Sequence, residues 1–166
     1  MKYLYARKKE TFNADLNENV EVKVFKPGIF NGFMLSGEKK NLKTILFRAT
    51  IQISALGKAR VFYVTDGEKL VHTSMVIPKC GKFTFMNEAD YEIGPCLTYP
   101  EYRGKGIYPA VINHICNSIG RDGTLFYMIV DETNTASIKG IEKAKFERCG
   151  SVDVTGITKK YKANKL

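Results

Sequence analysis

Along 20-VEVKVF-25, Val20, Val22 and Val24 alternate with charged residues until Pro27-Gly28 stops the run, which predicts a half-buried strand with its valines inward. The period then changes. Leu42, Ile45, Leu46, Ala49, Ile53 and Leu56 recur at helical spacing, so an amphipathic helix is expected over 41–56 with that stripe on the core. The runs 60-RVFYVT-65 and 69-KLVHTSMVI-77 flank Asp66-Gly67, a pair suited to the positive φ angles of a tight hairpin turn. The next run, 90-DYEIGPCLTY-99, reads as a strand interrupted by Gly94-Pro95. Pro95 has no N–H to donate, so this strand is either irregular there or unpaired on one side.

Helical spacing returns after the glycines of 103-RGKGIY-108, with Ile107, Val111, Ile112, Ile115 and Ile119 on one stripe and Gly120 as a stop. Pro109 is compatible with the first turn of that helix. The run 124-TLFYMIV-130 is nearly all apolar, as in a strand covered on both faces. A last helix is expected from near Asn134 to Cys149, then strands over 151–155 and 157–162 around Gly156. This order predicts a mixed α/β layer architecture in one domain over residues 1–166.

Composition narrows the class. A chain of 166 residues that is 44% hydrophobic has enough apolar sequence for one core. It has no apolar run of about 18 residues and no leader-like N-terminus, so a soluble cytoplasmic protein without a membrane partner is expected. Cys80, Cys96, Cys116 and Cys149 are widely spaced and form no CxxC pair, and the only histidines are His72 and His114, which predicts reduced thiols and no metal site. The net charge of +9 is dispersed, its densest runs being Lys39-Lys40 and 159-KKYKANK-165. No basic helix face forms, so the charge reads as solvated surface that also attracts an anionic cofactor, with no nucleic-acid partner expected.

The chemistry concentrates at the glycine turn. Unpaired N–H groups at a helix start, aided by the helix dipole, are a place for phosphate. RGKGIY contains neither the full GxxxxGK[ST] nor the full GxGxxG pattern. It resembles instead the acetyl-CoA loop of the GNAT superfamily of N-acetyltransferases, Q/R-x-x-G-x-G/A, with Arg103 and Gly106 at its first and fourth positions and Pro100-Glu101-Tyr102 ahead of it. Tyr108 replaces the usual small final residue. The segment 134-NTASIKGIEKAKFERCG-150 resembles the superfamily's later helix through Asn134, Ser137 and Phe146, with Lys145 where Gly is common.

The resemblance implies a mostly antiparallel central sheet flanked by helices, with strands 90–99 and 124–130 splayed to admit pantetheine. It implies acetyl-CoA as cosubstrate, its diphosphate on the N–H groups of Arg103, Gly104, Lys105, Gly106, Ile107 and Tyr108, with Thr98, Asn134 and Ser137 completing the site. A free alkylamine with a pKa near ~10.4 is only about 0.1% neutral at physiological pH, so acyl transfer to it needs a base. The superfamily's Glu position falls on Glu92, on one strand face with Gly94, Cys96 and Thr98 if alternation continues through Gly94-Pro95; Asp90 and Glu88 are secondary candidates. A backbone N–H near Thr98 would polarise the thioester. The usual Tyr acid falls on Ile141, leaving Tyr108 and Ser137 as substitutes. His72, in the hairpin, and His114, on the helix after the loop, are expected away from the glycine turn and read as structural or surface residues.

The segment IGPCLTYPEYRGKGIYP is similar to GNAT proteins encoded among bacterial surface-polysaccharide enzymes, which implies a small-molecule primary amine, such as an amino sugar or nucleotide sugar, as acceptor. The competing readings are a CoA-binding regulatory module without turnover, a peptide or protein amine acetyltransferase, and a basic nucleic-acid binder. A homodimer is left open.

Overall fold

The computed structural model describes residues 1–9, 20–28, 32–38, 41–155 and 160–165. The chain runs through β1 (Lys2–Lys8), β2 (Lys23–Phe25), α1 (Leu42–Ser54), β3 (Arg60–Asp66), β4 (Lys69–Pro78), β5 (Tyr91–Thr98), α2 (Ile107–Ser118), β6 (Leu125–Asp131), α3 (Thr135–Lys143), β7 (Glu147–Thr155) and β8 (Lys160–Lys165). The strands form one sheet in the order β2-β3-β4-β5-β6-β1-β7-β8. Its pairs are antiparallel except β5 with β6, which run parallel and pair only at Tyr91↔Phe126 and Glu92↔Tyr127. Beyond those residues the two strands separate. Helices α2 and α3 cover one face through Val111, Ile112, Ile115 and Ile141, packed with Phe62, Val76 and Phe126. Helix α1 covers part of the other through Ile51 and Ala55, packed with Val61, Met75 and Ile77.

The mixed α/β class, the hairpin at Asp66-Gly67, the helix after the glycines and the buried strand at 124–130 all appear as the apolar periods predict. The Gly94-Pro95 irregularity is present in both anticipated forms. Gly94 and Pro95 together face the single residue Met75 in the pairing with β4, and nothing pairs with this part of β5 on the β6 side.

Three expectations are corrected and one strand is not anticipated. The strand predicted over 20–25 is ordered as a strand only at Lys23–Phe25, and Val24 points outward, 52% exposed. Helix α1 forms where expected, with Asn41 accepting the Lys43 N–H, but Leu42, Leu46, Ile53 and Leu56 of the predicted inner stripe are exposed. The buried face carries polar side chains that have specific partners. Arg48 makes paired 2.7 Å bonds to Glu38 and donates to the Phe33 carbonyl, while Gln52 donates to the carbonyls of Pro27 and Ala59. A buried charge with a bidentate partner and a buried amide with two acceptors override the hydrophobic pattern.

The third correction is at α3, which stops at Lys143 instead of reaching Cys149; the chain then turns at Lys145 (φ 61°) and enters β7 at Glu147. The unanticipated strand is β1, for which the alternation analysis makes no prediction. It lies between β6 and β7, with the adjacent Leu4 and Tyr5 both buried, so coverage on both faces removes the two-residue period. The strand expected over 157–162 is seen as β8 from Lys160; Gly156 and residues 157–159 lie outside the described residues.

Candidate active site

The separation of β5 from β6 makes the site. On its β4 side, β5 stays paired through Ser74↔Cys96, Thr73↔Leu97 and His72↔Thr98. On the other side the edge from Cys96 to Thr98 has no strand partner, and a cavity of about 580 Å³ opens there. Strand β5 contributes Cys96, Leu97 and Thr98 to its wall; Arg103, Gly104 and Gly106 come from the turn, Ile107 and Tyr108 from α2. Across the cavity stand Asn134, Ser137, Gly140 and the exposed Lys139 and Lys143 of the α3 region. Eight of the predicted site residues are thereby brought together: Thr98, Arg103, Gly104, Gly106, Ile107, Tyr108, Asn134 and Ser137.

The turn explains its glycines. Gly104 and Gly106 have φ of 78° and 75°, and no heavy atom lies within 4 Å of where a Cβ would be. Backbone conformation is what requires glycine here. Gly106 is the N-cap of α2 and offers no side chain to the helix's first N–H groups, which remain available to an anion. Arg103 donates from Nε to the Thr98 carbonyl at 3.0 Å, tying the turn to the end of β5. The Lys105 side chain does not line the cavity; its ammonium sits 5.1 Å from the Tyr102 ring centroid.

At the opposite wall, Asn134 caps α3 by accepting the Ser137 N–H at 3.1 Å. The Tyr108 hydroxyl is 3.2 Å from Ser137 Oγ, and its ring lies over Gly140. Ile141, at the position where the family resemblance leads one to look for a Tyr, is 1% exposed and packed in the core. Tyr108 comes from the other helix and reaches the space between α2 and α3. Burial holds its phenol well above the ordinary tyrosine range, so it keeps its proton.

Glu92 lies on a different face from the one expected. On β4, His72, Ser74 and Val76 share a face, and they pair with Thr98, Cys96 and Ile93. The extra residue at Gly94-Pro95 therefore places Cys96 and Thr98 on the face of Ile93, opposite Glu92. Glu92 keeps company with Gly94 alone; a Cβ on Gly94 would meet Glu92 Oε1 at 2.7 Å. The carboxyl is 6% exposed, its Oε2 has no hydrogen-bond partner, and burial raises its pKa to about 8, with the Lys82 charge opposing. Burial raises both the Cys96 thiol and the Tyr108 phenol, and the Glu92 charge adds to it from the other face of the sheet. The secondary candidates are committed elsewhere. Asp90 accepts the N–H groups of Asn87 and Leu125, and Glu88 pairs with Lys79 at the surface.

Of the residues that sequence reasoning set aside or did not consider, Cys96 lines the cavity and His72 and Ser74 lie behind it on β4. His72 is fully buried, with Nδ1 2.7 Å from Thr98 Oγ1 and Nε2 2.7 Å from Ser74 Oγ. Burial lowers its pKa to about 4, so the ring is neutral at pH 7. Cys96 pairs with Ser74 across β4 and β5 and lines the cavity together with Tyr108, and burial pushes its thiol up to about 12. The signal that could have found His72 and Ser74 is their two-residue spacing on one strand, which puts both on the same face. His114 instead packs edge-on against Phe62, at 6.2 Å between centroids. No group of three or more His, Cys, Asp or Glu among the described residues could hold a metal, and no described helix is long and apolar enough to cross a membrane.

No model of a known family and no curated protein matches this sequence. Solved structures do match the fold. A GNAT-family acetyltransferase from Colwellia psychrerythraea aligns over 89% of this chain and 52% of its own, at 14% identity and a TM-score of 0.59. A GCN5-related N-acetyltransferase from Sphaerobacter thermophilus aligns over 89% and 48%, at 15% identity and a TM-score of 0.57. A putative GNAT-family acetyltransferase from Novosphingobium aromaticivorans aligns over 89% and 60%, at 15% identity and a TM-score of 0.52. The chain thus spans about half the length of these structures and has the GNAT fold, splayed central strands included.

Proposed function

From the GNAT fold and the cavity it builds, we propose that this chain is an acetyl-CoA-dependent N-acetyltransferase acting on a primary amine of a small molecule. The observation that carries the reading is the unpaired edge of β5 at Cys96–Thr98, opening onto a helix N-terminus whose first N–H groups lack a side-chain cap. These features fit an extended chain ending in a diphosphate: the strand edge has backbone groups to pair, and the helix start favours an anion. The cations at Arg103, Lys139 and Lys143 suit the cofactor's negative charge.

Acetyl-CoA supplies an acyl group activated as a thioester. The free edge of β5 near Thr98 offers backbone N–H to the thioester oxygen, as preorganised donors do in acyl transfer. Glu92 is the general base, receiving a proton from the incoming ammonium or from a bridging water. With a pKa of about 8 its carboxylate is a stronger base than an ordinary one but is ionised in only about a tenth of molecules at pH 7, so turnover should rise with pH through about 8. Its position opposite Cys96 and Thr98 has the amine entering from the sheet face away from α2 and α3. Tyr108 donates a hydrogen bond to the departing sulfur. Complete proton transfer from a phenol above its ordinary ~10 to a thiolate near ~8.5 is uphill, so stabilisation and not full protonation is its part.

For the acceptor, an amino sugar or nucleotide sugar fits better than a polyamine, because a net charge of +9 disfavours a polycation. The burial of Ile141 favours one alternative, a CoA-binding regulatory module without turnover. Thermal stabilisation by acetyl-CoA, combined with thiol release against a panel of amines, tests both readings. Stabilisation with amine-dependent thiol release supports the enzyme, stabilisation alone supports the regulatory module, and neither defeats both.

A further inference from the structure

We propose that the outward face of α1 docks on an anionic membrane surface, with Leu42, Leu46, Ile53 and Leu56 entering the headgroup boundary of the lipid. The inference is independent of the acetyltransferase reading. Leu42, Leu46, Ala49, Ile53 and Leu56 recur at alternating intervals of four and three, which aligns them in one stripe along the helix and its C-terminal turn. Leu42, Leu46, Ile53 and Leu56 are all exposed, and Ala49 is half-buried. The other side of α1 is already committed: Ile51 and Ala55 pack on the sheet, Arg48 pairs with Glu38, and Gln52 binds two carbonyls. A helix that is apolar on its outer side as well belongs against a second surface.

Leu56 sharpens the point. It holds φ of 49°, a left-handed conformation unfavourable to a bulky side chain, and it is 82% exposed. Neither local backbone preference nor burial within the chain accounts for a leucine there, whereas a docking surface does.

Charge selects the partner. Lys39, Lys40, Lys43, Arg48, Lys58 and Arg60 fall between Glu38 and Asp66, with no acidic residue among them. Arg48 is neutralised by Glu38, while Lys43, Lys58 and Arg60 are exposed towards the two ends of the stripe. An apolar stripe with cations at its margins and no anion between them fits a negatively charged lipid surface. A second copy fits worse, because antiparallel pairing of stripe on stripe about Ala49 brings Lys43 and Lys58 of opposite copies together. Such docking needs no spanning segment, so the short apolar runs of the chain do not bear on it. Helices α2 and α3 and the cavity beside them lie on the other face of the sheet from α1, so the cavity stays open in the docked protein.

The chain has no tryptophan, so Leu46→Trp places a single reporter on the stripe. With vesicles of equal parts phosphatidylcholine and phosphatidylglycerol at low salt, its emission is expected to move to the blue, and about 0.5 M salt should reverse most of the shift. In sedimentation with the same vesicles the wild type should pellet with the lipid. Leu46→Glu/Ile53→Glu, folded by circular dichroism, should bind at least about tenfold more weakly, and so should the wild type on phosphatidylcholine alone. The proposal is overturned by a wild type that stays in the supernatant with the mixed vesicles, by equal binding of the folded double variant, or by equal binding to phosphatidylcholine alone. If the double variant does not fold, the tryptophan decides: emission that remains that of a water-exposed indole while the protein pellets with lipid overturns the docking face. Sedimentation velocity without lipid is expected to show a monomer. A wild-type dimer that Leu46→Glu/Ile53→Glu dissociates would assign the stripe to a second copy and overturn the membrane proposal.

Discussion

The Tyr108 ring on α2 lies against the bare α-carbon of Gly140 on α3, so closely that a Cβ there would be 2.7 Å from Tyr108 Cε1. The glycine is what lets Tyr108 occupy the wall between the helices. Gly140→Ala should therefore force the ring aside. Overpacking costs about 1–3 kcal/mol against a gain in helix propensity of about 1 kcal/mol, so a net loss of up to about 2 kcal/mol in urea unfolding is expected. A variant as stable as the wild type would mean that the ring has room to move.

Lys145 gives a prediction of opposite sign. It holds φ of 61° just after α3, a left-handed conformation costing a side-chain-bearing residue about 1–2 kcal/mol. Glycine relieves that strain but loses more entropy on folding, so Lys145→Gly should stabilise the protein by about 0.5–1 kcal/mol. Calorimetry should show a melting temperature higher by about 1–4 °C. A lower value would assign the lysine side chain a contact worth more than the strain.

Much of the fold was legible because periodicity reports burial. It failed where burial took another form: at β1, covered on both faces, and at α1, where Arg48 and Gln52 face inward with partners brought from distant segments. The glycine turn was legible because the conformations at Gly104 and Gly106 restrict the choice of residue. The face of Glu92 was not, because one extra residue at Gly94-Pro95 inverts all that follows and the register belongs to the pairing with β4. The network of His72 and Ser74 was equally hidden, since its partners Thr98 and Tyr108 come from other elements.

Burial of Glu92 has a measurable pH signature. Between its ordinary 4.5 and about 8 the folded protein keeps a proton that the unfolded chain releases, so this residue makes stability fall as pH rises through that window. His72 acts oppositely, its lowered pKa removing stability as pH falls from 6.5 to about 4. Comparing Glu92→Gln with wild type cancels the histidine effect. The variant should gain in relative stability from pH 5 to pH 9, with little difference near pH 4. A constant difference across pH would show that the carboxyl does not retain a raised pKa in the folded state.

The Asn134 cap separates helix stability from cofactor binding. Asn134→Ala loses the bond to the Ser137 N–H and should destabilise α3 by about 1 kcal/mol, whereas Asn134→Asp, which still accepts it, should lose little stability. Equal stability of Asn134→Ala and wild type in chemical denaturation would mean that the cap is dispensable.

Calorimetric titration of acetyl-CoA into the wild type, Gly106→Val and Lys139→Glu/Lys143→Glu tests the proposed cavity most directly. Valine is strained at the 75° φ of Gly106 and disturbs the N–H groups at the start of α2, while the exposed lysine pair can be reversed in charge without entering the core. The account predicts saturable one-to-one binding by the wild type, and affinity at least about tenfold weaker in each variant under conditions where circular dichroism shows it folded. Undetectable binding by the wild type, or wild-type affinity in both folded variants, would contradict it.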